Sequence, residues 1–515
     1  MSVPADPPDP AALPDHVDVI IVGAGLSGIG AGCMLRRRCP DQSFVIFEAR
    51  DRVGGTWDLF RFPGVRSDSD MFALGYSFRP WQDSRAIADG ASIRDYVEDT
   101  ARAYDLDGKI RFGHRVRSAD WDGGTGRWTV TVEDGTGSTK LITCRWLSVC
   151  AGYYDYADGH RPAFPGEDQF TGTVVHPQHW PEELDCTGRR VIVIGSGATA
   201  ITLVPALARS AEQVIMLQRT PSYIVSQPTI DPLVGRLPRW LPGRLASWIV
   251  RWKNILTTSA SYRFARRRPE AMKQLLRRGL RHALPEPYDL DTHFTPPYQP
   301  WDQRLCVVTD GDLFRALREG RAEVVTDRID TFTPTGIRLR SGRQLDADII
   351  VTATGLALRT AGGIRLSVDG APVDPGHSVT YKGMMLCGVP NLTMVIGYVN
   401  ASWTLRADLI NRYLTRLLRH LDRHGYDYAV PQPPPEGATG RPLLDLRSGY
   451  IERADGVLPH QAGRAPWRIQ QSYLREVWPL RHGPLRDRSL RFGRVRARTS
   501  GDHLRPAGAA KAQDR

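Results

Sequence analysis

Cysteine is scarce: the 515-residue chain holds seven. The number is odd, and Cys33 and Cys39 do not form a C-x-x-C pair. A disulfide framework is therefore excluded, and a reducing cytoplasm is the natural setting. No apolar run is long enough to span a bilayer. The first fifteen residues, MSVPADPPDPAALPD, have neither a basic nor an apolar segment and do not read as a signal peptide. They are rich in Pro and acid, so disorder is expected over 1–16. The motifs of serine hydrolases are missing. His176 and His179 are three apart without further clustered ligands, so no metal site is expected.

Acidic residues are also in deficit. Sixty-eight Lys and Arg outweigh 56 Asp and Glu, a net charge of +12. Much of the excess lies in 236–281 and from Arg475 onward. No nucleic-acid recognition motif accompanies it, so nucleic acid is not expected as a partner. A solvated basic face is the simplest reading. Attraction for phosphorylated cofactors or for an anionic membrane surface is the alternative.

What is present is two glycine-rich loops in matching settings. Val17–Val22 is an almost continuous apolar run, as a buried parallel strand requires. It leads into Gly23-Ala-Gly25-Leu-Ser-Gly28, then a helical stretch over 29–38, then a strand over 43–47 that ends in Glu48. This is a β-α-β dinucleotide fingerprint, with Gly for the tight turn and close packing and an acid for the ribose hydroxyls. The pattern repeats at Arg190–Ile194 and Gly195-Ser-Gly197-Ala-Thr-Ala200, with a helix through Leu207 and a strand over 214–217. Here Gln218-Arg219-Thr220 replaces the acid. Arg219 suits a 2′-phosphate and favours NADPH over NADH, although a solvated surface Arg would look the same.

Between the loops lies FTGTVVHPQHWP. By itself it reads as a linker. Its pattern F-x-G-x-x-x-H-x-x-x-W-P, at Phe170, Gly172, His176, Trp180 and Pro181, resembles the fingerprint of type I Baeyer–Villiger monooxygenases. The stretch Arg66-Ser-Asp68-Ser-Asp70 and the Asp58-Leu-Phe60 string resemble the ethionamide-activating branch of that family. The resemblance extends from about Val17 to about Arg491.

That resemblance implies an α/β fold of two Rossmann-like domains. An FAD domain would comprise 17–155 and 356–490. An NADP domain would comprise 156–355, with a helical insertion near 235–290, and 491–515 would be a loose basic tail. FAD would contact Gly23, Gly25, Ser27, Gly28, Glu48, Gly55, Thr56, Trp57, Asp58, Leu59, Arg66, Ser67, Asp68 and the backbone of Val116. NADPH would contact Gly195, Ser196, Gly197, Ala198, Thr199, Ala200, Ile201, Arg219 and Thr220. Arg304 matches the family's active-site Arg, and Asp68 its partner beside the flavin. Turn or cap roles compete for Asp68 and Asp70. His176 is expected to serve the linker rather than to move protons.

The implied reaction uses NADPH, O2 and a C4a-peroxyflavin to convert ketones to esters or lactones, and extends to sulfur compounds such as thioamides. An N- or S-hydroxylating flavin monooxygenase without ketone activity is the alternative. A non-catalytic protein, either a flavin-binding redox sensor or a nucleic-acid binder, is a third reading. In the insertion, Leu241, Leu245, Trp248, Ile249, Trp252, Ile255 and Leu256 follow helical spacing and predict one inward face, with Arg244, Arg251 and Lys253 off it. The helices then cap the active site or, on a second reading, lie on a membrane surface, leaving a cytoplasmic enzyme peripheral to the membrane. The sequence leaves the oligomeric state open.

Overall fold

The computed structural model describes residues 13–236, 240–435, 441–444, 446, 448–454 and 456–495. Two parallel-stranded units organise them. In the first, His16–Val22 pairs in parallel with Phe44–Phe47 on one side and Thr139–Val149 on the other. Val19, Ile20 and Ile21 are wholly buried, which accounts for an apolar run without alternation. Thr139–Val149 also pairs with the antiparallel strand Arg127–Glu133, and Arg115–Asp122 follows. Arg365–Val368 and Leu392–Met394 join this sheet from far along the chain.

The second unit is a five-stranded sheet. Its order is Ala322–Thr326, Gln213–Gln218, Arg190–Ile194, Ile349–Thr352, Thr173–Val175. All its pairings are parallel. The chain leaves the first unit along Tyr154–Gly159 and returns along Leu356–Leu358, and these two crossing strands pair with each other.

The ends are more ordered than expected. The first strand begins at His16, whose Nδ1 lies 2.9 Å from Thr143 Oγ1. Leu490–Gly493 pairs with Tyr428–Pro431, so the fold continues past 491. The remainder of both expected loose segments, 1–12 and 496–515, lies outside the described residues.

The insertion forms two helices, Gly243–Arg267 and Pro269–Ala283. Its inward face differs from the expected one. Ser247, Val250, Arg251 and Ile255 are buried, whereas Leu245, Trp248 and Leu256 are about half exposed, at 45%, 55% and 51%. The reason is Arg251. Its Nη1 donates to the carbonyls of Phe72, Ala73 and Gly75 at 2.9, 3.2 and 2.6 Å, and its Nη2 lies 4.0 Å from Asp408. A buried guanidinium with these acceptors outweighs the hydrophobic period. The helix therefore clamps onto the short helix Met71–Leu74 of the first unit. Among the described residues, no helix is long and apolar enough to cross a membrane.

Candidate functional site

Both glycine-rich loops open into one cavity of about 1500 Å³ between the units. That exceeds the ~300–1,000 Å³ of an ordinary small-ligand pocket, as two nucleotides require.

On the first side, helix Leu26–Arg38 starts at Gly25 with no side-chain cap, so its first N–H groups are free for a phosphate. A Cβ on Gly28 would sit 1.8 Å from Gly23 O, so only Gly lets the helix pack this closely. Glu48 is buried. Its Oε2 accepts from Ala24 N–H at 2.7 Å and its Oε1 from Arg50 N–H at 2.9 Å. Each oxygen keeps a lone pair for a ribose hydroxyl. Burial pushes this carboxyl above its usual range, against the pull of those two N–H groups. Ser67 Oγ is buried on the cavity wall without a protein partner among the described residues. An orphan hydroxyl, an uncapped helix and a ribose-type acid fit a flavin nucleotide.

On the second side, helix Ala198–Leu207 starts at Gly197, again uncapped. Gly195 has φ +139°, and a Cβ there would lie 2.4 Å from Ala353 O. Ser196 Oγ donates to Thr220 O at 2.8 Å and ties the loop to the strand end that bears Arg219. Arg219 lines the cavity, is exposed and makes no ion pair among the described residues.

Between the two sides Arg304 Nη2 stands 3.4 Å from Asp68 Oδ2. Asp68 comes from the first unit and Arg304 from the second, and both line the cavity. Asp68 holds the guanidinium still further above its usual pKa. The turn that presents Arg304 carries Trp301 at φ +70°, outside the comfortable region for a bulky residue. Trp301 is braced by Tyr262 of the insertion, with ring centroids 5.3 Å apart.

Other expected residues take other places. Asp58 and Leu59 lie behind the cavity wall. Asp58 is 1% exposed, and its Oδ2 is held by Arg50 at 2.6 Å and its Oδ1 by Arg61 at 3.4 Å. Its carboxylate therefore fixes the loop instead of facing a nucleotide. Arg66 reaches the cavity, but its Nη1 pairs with Asp312 at 2.5 Å. Gly55, Thr56, Trp57 and Val116 line the cavity, as do Ser27, Ser196, Ala198, Thr199 and Thr220. Ala200 and Ile201 are buried behind the second loop. Asp70 caps Met71–Leu74 by accepting from Ala73 N–H at 2.8 Å.

None of the fingerprint residues lines the cavity. His176 Nδ1 accepts from Gln178 N–H at 3.2 Å, so its Nε2–H donates to Gly355 O at 3.3 Å. Its ring lies against Gly159, where a Cβ would meet it at 2.0 Å. Gln178 Nε2 donates to Asp155 O, and His179 Nε2 contacts Ala157 O, each at 2.9 Å. The stretch thus zips onto the first crossing strand and onto Gly355, just before the second. Burial lowers the His176 pKa, which keeps the ring neutral and its tautomer fixed. Phe170 is buried in the second unit's core, Gly172 packs against Asp348 O, and Trp180 leans on that unit's helix side. Pro181 follows Trp180, and Pro181 O accepts from Leu184 N–H.

Sequence reading missed Tyr153, Tyr154, Tyr450 and Trp403, which line the same cavity as Arg304. The two adjacent tyrosines follow the carboxyl end of strand Thr139–Val149, where parallel sheets place their ligands. That position was a usable signal. Tyr450 had none.

Two dinucleotide sites sharing one cavity, with a cation–carboxylate pair between them, define a flavoprotein oxidoreductase of the two-dinucleotide type. Residues 16–359 match the flavin-binding monooxygenase-like family, and the chain belongs to that family. It is 50% identical over 483 residues to the FAD-containing monooxygenase EthA of Mycobacterium tuberculosis, covering 94% of this chain and 99% of the relative. With EthA of Mycolicibacterium smegmatis the identity is 48% over 489 residues, covering 95% and 99%. The fold matches a steroid monooxygenase bound to NADP, with TM-score 0.74, 23% identity and coverage of 93% and 100%. It also matches a closed cyclohexanone monooxygenase, with TM-score 0.67, 21% identity and coverage of 82% and 87%.

Proposed function

We propose that this monooxygenase uses FAD and NADPH to insert one atom of O2 into ketones, and that it also oxidises sulfur in compounds such as thioamides. Written in balance, ketone, O2, NADPH and a proton give an ester or lactone, NADP⁺ and water. The observation that carries the reading is the Arg304–Asp68 pair, which stands in the cleft between the two dinucleotide loops.

FAD, when bound, supplies the oxygen activation that no amino-acid side chain offers. The protein supplies position and charge. The free N–H groups after Gly25 take the FAD pyrophosphate, Glu48 takes its ribose, and the Ser67 hydroxyl takes a further polar atom. The N–H groups after Gly197 take the NADPH pyrophosphate, and Arg219 its 2′-phosphate. Arg304 directs a planar fork of N–H donors at the negative charge that develops on the substrate's oxygen. Asp68 keeps the guanidinium aimed. The aromatic wall of Tyr153, Tyr154, Trp403 and Tyr450 excludes water around the reacting carbonyl.

Incubation with NADPH, O2 and a panel of ketones and thioethers tests the proposal. The expected result is ester formed in step with NADPH consumed. Sulfoxide from thioethers without ester from any ketone would overturn it and leave an N- or S-oxidising enzyme.

A further inference from the structure

The insertion helix Gly243–Arg267 is turned inside out. Its polar side faces the protein: Ser247 and Arg251 are buried, and Asn254 Nδ2 donates to Asp70 Oδ1 at 2.9 Å. Its apolar side faces outward. Leu245, Trp248 and Leu256 fall on one stripe at helical spacing and are each about half exposed. Trp252 stands between them on that stripe. Its ring rests against Trp248, at 6.2 Å between centroids, and against Tyr473, at 6.0 Å. Single exposed apolar side chains are ordinary on a protein surface. Several large ones on one stripe, held outward by the buried Arg251, mark a surface that meets a partner.

The charge on the helix identifies the partner. Its 25 residues hold six cations and no acid. Three cations are committed to the protein. Arg251 donates to three carbonyls, Lys253 pairs with Asp231 at 2.5 Å, and Arg266 pairs with Asp302 at 2.7 Å. The other three, Arg244, Arg263 and Arg267, are exposed and make no ion pair among the described residues. Arg244 directly precedes Leu245. Arg263 and Arg267 lie about two and three turns beyond Leu256, so they continue its stripe. A second copy of the chain would set these guanidiniums against one another across a two-fold axis, with no acid on the helix to offset them. An anionic lipid surface answers both features. Its phosphates accept from guanidinium, and Trp and Leu side chains settle at the level of the headgroups.

We propose that this face seats the enzyme on an anionic bilayer surface. Leu245, Trp248 and Leu256 enter the headgroup layer, and Arg244, Arg263 and Arg267 hold lipid phosphates. The helix lies along the surface and does not cross the bilayer. Arg251 and Asn254 already fix its opposite side, so the face is preformed and docking requires no refolding.

The test uses the FAD-loaded enzyme and sucrose-filled vesicles. One set holds equal parts phosphatidylglycerol and phosphatidylcholine, and the other phosphatidylcholine alone. The wild type should sediment with the first set and at least about tenfold more weakly with the second, and added salt should release it. Combining Leu245→Ser, Trp248→Ser and Leu256→Ser should weaken binding at least about tenfold. Combining Arg244→Glu and Arg263→Glu should weaken it about 25-fold or more, at about fivefold per cation. None of these five side chains lines the cavity, so the flavin spectrum and NADPH oxidation without vesicles should stay as in the wild type. If the serine variant loses its flavin, the Arg244 and Arg263 variant decides. Equal sedimentation of the wild type with both vesicle sets overturns the proposal. So does wild-type binding in a flavin-loaded combined variant, which would place the contact on another basic face. A wild type that is dimeric in sedimentation equilibrium, and monomeric once Leu245, Trp248 and Leu256 are replaced, assigns the face to a second copy and overturns it as well.

Discussion

Replacing Arg304 by Ala separates catalysis from stability, because the structure sets very different sizes for the two effects. Both side chains of the Arg304–Asp68 pair are about one-third exposed, at 33% and 35%. An ion pair of that exposure contributes about 0–1 kcal/mol to stability. The thermal midpoint should therefore move little, and FAD should stay bound, since Arg304 lies outside both nucleotide loops. The catalytic loss is larger. A fixed donor aimed at developing negative charge is worth about 10²–10³ in rate, or about 2.7–4 kcal/mol at 1.36 kcal/mol per factor of ten. Ester should nearly vanish, and the remaining NADPH oxidation should end in hydrogen peroxide. Lys keeps the charge but not the planar fork, so Arg304→Lys should fall between Ala and the wild type. The assay measures ester, hydrogen peroxide and NADPH in one reaction, beside a melting curve and a flavin spectrum. Wild-type ester yield in Arg304→Ala would remove this residue from the mechanism. A loss of ester matched by a loss of FAD would show a structural role instead.

Arg219→Ala should lower kcat/KM for NADPH by about tenfold or more and leave NADH nearly unchanged; an unaltered NADPH-to-NADH ratio would refute the 2′-phosphate assignment. Burial raises the Glu48 carboxyl, so it takes up a proton at higher pH than an ordinary Glu. Flavin retention should accordingly be strong while Glu48 is ionised and fall as pH drops through that raised range. In Glu48→Gln, retention should be weak with no step there, read by fluorescence of released FAD. Arg251→Met removes a buried cation from three carbonyls and from Asp408, and should destabilise by about 3–5 kcal/mol in urea unfolding.

The two dinucleotide loops were legible because their constraint is local. A tight turn, a close helix and a free helix N-terminus each dictate a residue type at fixed spacing. Strand Arg190–Ile194 has the predicted ends, and helix Leu26–Arg38 begins three residues before the predicted stretch. The insertion was misread because its inward face is set by a distant partner. Helical spacing marks Leu245, Trp248 and Leu256 as core, yet the carbonyls at the end of Met71–Leu74 draw Arg251 inward and turn those side chains out. The partners of Asp58 are hidden in sequence for a similar reason, since Arg50 and Arg61 claim its carboxylate. Tyr450 is invisible in sequence because the fold brings it to the cavity wall from the far end of the chain.

The insertion bears on the Arg304–Asp68 pair from both sides. Asn254 Nδ2 donates to Asp70 Oδ1 at 2.9 Å, and Asp70 caps the helix that begins two residues after Ser69. Asp68 therefore hangs on a segment whose end is fixed by the insertion helix. Eight residues further along, two turns of the same helix, Tyr262 braces Trp301 in the turn that presents Arg304. One rigid helix thus touches the supports of both partners in a 3.4 Å contact. Side chains held through such outer supports keep their aim only while the supports hold, and a misplacement of about 1 Å can cost ~100-fold in rate. The placing of Arg304 beside Asp68 is therefore a property of Gly243–Arg267 as much as of the loop that carries it. That is a structural reason for a helix with a poor hydrophobic face to be locked down by a buried Arg.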